Sequence, residues 1–168
     1  MPKTRAGAPS ERRAAKPDAA EPPSPVDLVR ESGDAMYRAA VECCHQHDRV
    51  SRIIAKATIE EEITAALQLC MLCDKTLGAL ADAYERSAAA TRPQRSEDSW
   101  WRCANTLWLA SREYVRRNQS CETATKDIKE HGPDRLGALH TEYELEASAL
   151  LGLRQAADAY QKCRPGAA

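Results

Sequence analysis

The chain has 168 residues and a formal net charge of -1, with an isoelectric point near 6.4. That length accommodates one domain with a sizeable core plus a tail, and the near-neutral balance excludes a global electrostatic pull toward nucleic acid or an anionic membrane. No unbroken apolar run approaches the roughly 18–20 residues that cross a bilayer, and the N-terminal stretch lacks the apolar centre of a secretory signal, so a cytoplasmic protein with no nucleic-acid or membrane partner is expected.

Residues 1–23 contain Pro2, Pro9, Pro17, Pro22 and Pro23 among scattered charges, with no large apolar side chain after Met1. Such a segment cannot bury enough surface to offset its ordering entropy, which predicts a disordered tail. Ser24, Pro25 and Asp27 then form a helix start: a capping hydroxyl, a proline at the first helical position and an acid at the positive end of the dipole. The stripe Val29, Met36, Ala40, Cys43, His47, Val50 and Ile54 predicts a first helix over about 26–56, with Gly33 its one soft spot. Thr58 and Glu61 make a capping box for a second helix over about 59–88. Its stripe is Ile63, Leu67, Cys70, Cys73, Leu77, Leu80 and Tyr84, and Gly78 within it hints at a close helix crossing.

After a loop over 89–95, Ser96 caps a third helix with the stripe Trp100, Cys103, Leu107, Ala110 and Tyr114. Over 118–132 the pattern weakens, so either a short separate helix or a continuation fits. Gly132, Pro133 and Asp134 mark a break and restart. A fourth helix follows to Cys163, with Leu136, Leu139, Tyr143, Ala147, Leu150, Leu153, Ala157 and Tyr160 facing inward, and Pro165 and Gly166 stop it. Four amphipathic helices with short links predict an all-α, antiparallel up-down-up-down four-helix bundle. The expected division is a disordered tail (1–23), the bundle (24–163) and a short C-terminal tail (164–168).

The chemistry-bearing residues are its seven cysteines. Their odd number and their scatter through helices argue against a secreted disulfide framework, so reduced thiols are expected. Cys43, Cys70, Cys73, Cys103 and Cys163 all fall on or beside inner stripes, where free cysteine often serves only as a small hydrophobe. Thiols converging on a dry axis also suit Cu(I), which two thiolates bind linearly and three trigonally. Cys70 and Cys73 present sulfurs from adjacent turns, and Cys43 with His47, four apart, offers another two-ligand clamp.

The Cys70/Cys73 pair within LQLCMLCDKTLGALADAY, the run Cys43-Cys44-His45-Gln46-His47 and the close of the fourth helix at AADAYQKC resemble the cysteine-rich four-helix-bundle copper storage proteins. The resemblance spans roughly residues 39–163. It implies Cu(I) as cofactor, with Cys70, Cys73, Cys43 and Cys103 as ligands. Leu77, Leu80, Leu107, Leu150 and Leu153 stand where that family places further cysteines, so a low-capacity, non-enzymatic thiolate metal-binding protein is expected, with His47 as an additional ligand.

Zinc is the second metal reading, from Cys70, Cys73, Cys43 and His47, although the chain has one C-x-x-C and not two. A di-iron carboxylate site needs two Glu-x-x-His pairs, and Glu42 with His45 is the only one. No phosphate loop, nucleophile elbow or His-Glu-x-x-His motif suggests an enzyme. Against the metal reading stands a helical interaction adaptor, self-association included, whose cysteines only pack. Its partner would be anchored by the adjacent Trp100 and Trp101, rimmed by Arg92, Arg95 and Arg102, because neighbours about 100° apart on a helix cannot both face one core centre.

Overall fold

The computed structural model describes residues 22–56, 60–91 and 99–164. The expected tail up to Glu21, the Thr58 cap, the Ser96 cap with Arg92 and Arg95, and the stop at Pro165 and Gly166 lie outside them. Four helices account for nearly all of the described chain: α1 (Pro25–Lys56), α2 (Glu60–Ala90), α3 (Ser99–His131) and α4 (Leu136–Cys163), with a 3-10 turn at Pro133–Arg135 before α4. No strand occurs among the described residues.

The start of α1 follows from its local chemistry. Ser24 and Asp27 exchange hydrogen bonds: the Ser24 hydroxyl donates to Asp27 Oδ2 at 2.6 Å, and the Asp27 amide donates back to Ser24 Oγ at 3.2 Å. Helix α3 runs unbroken through 118–131, so of the two readings of that stretch the continuation is the one found. Gly132 ends it at φ +88°, a region that glycine enters at little cost. The Gly132 amide donates to Ile128 O at 2.9 Å.

Helix α1 lies mainly against α2, and α3 mainly against α4, while α2 also touches α3 and α1 touches α4. One core joins all four helices. Gly33, Tyr84, Trp100 and Tyr160 meet in a single layer, where a β-carbon built on Gly33 would lie 3.0 Å from Tyr160 Oη, 3.2 Å from Trp100 and 3.6 Å from Tyr84. Trp100 Nε1 donates to Tyr160 Oη at 3.2 Å, and Tyr160 donates to Asp34 Oδ1 at 2.9 Å.

This layer corrects the reading of Trp100 and Trp101 as a partner-binding surface, because they are only 2% and 6% exposed. Their rings meet edge to face with centroids 4.9 Å apart. Adjacent positions on α3 point toward different neighbours, Trp100 toward Tyr160 of α4 and Trp101 toward Tyr84 of α2. Both are buried because α3 is flanked on two sides.

The predicted stripes hold over most of α1 (Val29, Met36, Ala40, Cys43 and Val50) and the last turns of α4 (Leu153, Ala157 and Tyr160), and that of α2 is displaced. On α2 the buried line is Ala66, Cys70, Asp74, Leu77, Ala81, Tyr84 and Ala88, and Leu67 is exposed. Ile54 of α1 and Leu136 and Tyr143 of α4 are exposed as well, Tyr143 by 50%. The outward leucines make α2, by length and composition alone, apolar enough to cross a bilayer, even though polar residues interrupt its apolar run.

Gly33 of α1 and Gly78 of α2 differ in a way that unfolding measurements can check. Gly33→Ala forces the fully buried Tyr160 and Trp100 to shift and should cost about 1–3 kcal/mol in urea denaturation. Gly78→Ala meets only Val115, at 3.5 Å, and should leave stability unchanged or raise it by up to about 1 kcal/mol through better helix propensity.

Candidate metal centre

Next to the aromatic layer the core turns polar. Cys43 and His47 stand one turn apart on α1, Asp74 comes from α2, and Tyr114 and Asn118 stand one turn apart on α3. Asp74 is an acid on the buried stripe, one turn beyond Cys70, and only 7% exposed. Its carboxylate collects the group. The Cys43 thiol and the Tyr114 hydroxyl both donate to Oδ1 at 2.9 Å, and the Asn118 amide donates to Oδ2 at 2.5 Å. His47 Nε2 lies 3.6 Å from Oδ1 and is in direct contact with the Tyr114 oxygen. The His47 and Tyr114 rings pack edge to face, with centroids 5.6 Å apart.

The proton affinities follow from this enclosure. Burial alone would lower the His47 pKa, but hydrogen bonding to Asp74 and to the Cys70 thiol outweighs it and raises the value to about 10. Burial acts to raise Asp74, and the donors His47, Cys43 and Tyr114 reverse that and hold it below the usual carboxylate range. At neutral pH the pair is therefore imidazolium and carboxylate, with His47 Nε2 donating to the Tyr114 oxygen and Tyr114 donating to Asp74. Burial and the adjacent Asp74 push the Cys43 thiol far up. Burial, Cys43 and Asp74 do the same to the Tyr114 phenol.

The Cys43 sulfur, a His47 ring nitrogen and an Asp74 oxygen lie within 4.8 Å of one another, an arrangement that can hold a metal ion. Of the residues expected as ligands, Cys43 and His47 are thus brought together, and Cys70 is buried with its thiol against His47. Cys73 is turned aside, half-buried, and feels Glu42 more strongly than Cys70 or Asp74.

Cys103 departs from the expectation altogether. It is bonded to Cys163 across the ends of α3 and α4, with the α-carbons 6.5 Å apart. In that state its sulfur is shared with Cys163 and cannot act as a thiolate ligand, and the bond removes one ground for placing the chain in a reducing compartment. The thiols therefore do not converge on a common axis.

Asp74, Tyr114 and Asn118 complete the centre without having been expected in it. Their signal was an acid at Cys70 plus four and Leu77 minus three, and a tyrosine and an asparagine one turn apart. Comparison of the chain with family models, with curated proteins and with solved structures found no match in any of the three.

Two variants follow from the buried charges. A raised histidine pKa stabilises the fold fully below its unfolded value near 6.5, and that contribution is lost as pH climbs toward about 10. The metal-free protein should therefore lose melting temperature over that interval, and His47→Gln should abolish most of the decline. Asp74→Ala strands the imidazolium and three donors and should cost about 3–5 kcal/mol in denaturant unfolding at pH 7.

Proposed function

We propose that the chain is a non-enzymatic metal-binding four-helix bundle whose centre is formed by Cys43, His47 and Asp74. The observation that carries this reading is the meeting of a thiol, an imidazole and a carboxylate from two helices within 4.8 Å, inside the fold. A set of one sulfur, one nitrogen and one oxygen is of mixed softness and matches Zn(II), which takes Cys, His and Asp together. A soft Cu(I) ion prefers sulfur throughout. Cu(I) is the second reading, favoured by one observation: the Cys70 thiol also borders His47, so Cys43 and Cys70 flank the same imidazole.

The bundle that holds this centre is inferred to run up-down-up-down. The order of its contacts supports this. Ser32 meets Ser87 and Cys43 meets Asp74 between α1 and α2. Tyr84 meets Asn105 and Asp74 meets Asn118 between α2 and α3. Trp100 meets Tyr160 and Arg117 meets Glu142 between α3 and α4. In each pair one index rises as the other falls.

An ion at this centre must displace the Cys43 and His47 protons, so affinity should rise with pH. In a zinc titration against a chromophoric chelator, the protein should take up one equivalent. Asp74→Asn and Cys43→Ser should each weaken binding by more than the 10–100-fold typical of a residue that merely supports a ligand. Cys70→Ser should weaken Cu(I) uptake and spare zinc. If parent and Asp74→Asn retain equal zinc, or neither retains any, the reading fails.

A further inference from the structure

Three protein ligands leave one corner of a tetrahedral ion to fill, and the occupant of that corner separates a closed structural site from an open catalytic one. Helix α3 brings a single oxygen to that corner. The Tyr114 phenol lies 2.9 Å from Asp74 Oδ1 and touches His47 Nε2, and the Cys43 thiol donates to the same Asp74 oxygen at 2.9 Å. It therefore contacts two of the three other donors directly and shares an acceptor with the third, from a fully buried position.

We propose that Tyr114 is the fourth ligand of the metal centre, its phenolate oxygen closing a Cys43, His47, Asp74, Tyr114 set around one divalent ion of the zinc class. The proposal rests on the metal reading of the preceding subsection. In a tetrahedral site with bonds of about 2.0–2.3 Å, neighbouring donor atoms stand roughly 3.3–3.8 Å apart. His47 Nε2 and Asp74 Oδ1 already show 3.6 Å, and the two contacts at 2.9 Å to Asp74 Oδ1 need to lengthen by less than an ångström. Those contacts are hydrogen bonds whose protons the ion replaces. On binding, the Tyr114 O–H bond breaks, the proton leaves to the buffer, and the oxygen pair that held it bonds the metal; no electrons change hands.

The consequence is a closed site. With thiolate, imidazole, carboxylate and phenolate all supplied by the chain, no coordination position remains for water or substrate, as in structural zinc centres. A second anionic oxygen also makes the set harder and favours zinc over Cu(I). Asn118, whose amide donates to the outer Asp74 oxygen at 2.5 Å, then acts as the positioning residue that turns Oδ1 toward the ion.

The test is ultraviolet difference spectroscopy on the full, metal-free chain titrated with zinc sulfate. Among five tyrosines, one should ionise, giving the phenolate difference band with the amplitude of a single residue and saturation at one equivalent. Tyr143→Phe, at an exposed position, should keep the band. Tyr114→Phe should lose it and bind zinc about tenfold or more weakly, at least as much as loss of a supporting hydrogen bond costs. Zinc bound at one equivalent by the parent without a phenolate band overturns Tyr114 as a ligand and leaves the metal centre standing. No zinc bound by the parent overturns both. The parent spectrum decides by itself if Tyr114→Phe does not fold.

Discussion

Much of this fold is organised by the burial of one carboxylate. Stripping Asp74 of water costs several kcal/mol unless the lost hydration is replaced, and the replacement comes from two other helices. Cys43 and His47 arrive from α1, Tyr114 and Asn118 from α3. Each donor must hold its rotamer and its helix must hold its register, because a shift of one residue would leave an unpaired charge in the interior. The polar group thereby fixes which way α1, α2 and α3 face one another.

The aromatic layer does a different job. Tyr84, Trp100, Trp101 and Tyr160 supply large buried area and two hydrogen bonds close to the ends of the helices, and Gly33 gives α1 the clearance to approach them. The Tyr160–Asp34 bond is extended by Arg164, which donates to the other Asp34 oxygen at 2.8 Å. Toward the far ends of the helices burial thins to Val50, Ala66 and Cys70 with Ile53 against them.

The helices themselves were legible from local chemistry. Ser24, Pro25 and Asp27 mark the start of α1 and Gly132 with Pro133 marks the break before α4, because caps and dihedral limits act within a few residues. The facing of α2 was not legible. That helix carries leucines on several sides, at Leu67, Leu69, Leu72, Leu77 and Leu80, so periodicity admits more than one inward line. The line that places Cys73 inside puts Asp74 outside. The observed line is the other one, and an acid is a weak signal of burial unless its donors are already known to lie opposite. For the same reason Cys43 and His47 were found in the sequence while Tyr114 was read only as core and Asn118 only as the start of a stretch of weak pattern. The burial of both tryptophans and the pairing of Cys103 with Cys163 depend on which helices are neighbours, and no local pattern encodes that.

The Cys103–Cys163 bond joins the beginning of α3 to the end of α4, while the Gly132 turn joins their other ends. These two helices therefore form a covalently closed ring, whereas α1 and α2 have no such tie among the described residues. An opening that keeps the helices and the disulfide intact can part the molecule along the seam between this ring and the α1–α2 pair. Cys43, His47 and Asp74 all belong to α1 and α2, and Tyr114 and Asn118 to the ring. A seam that parts there leaves Cys43, His47 and Asp74 together on one side and withdraws the two α3 donors from the buried carboxylate.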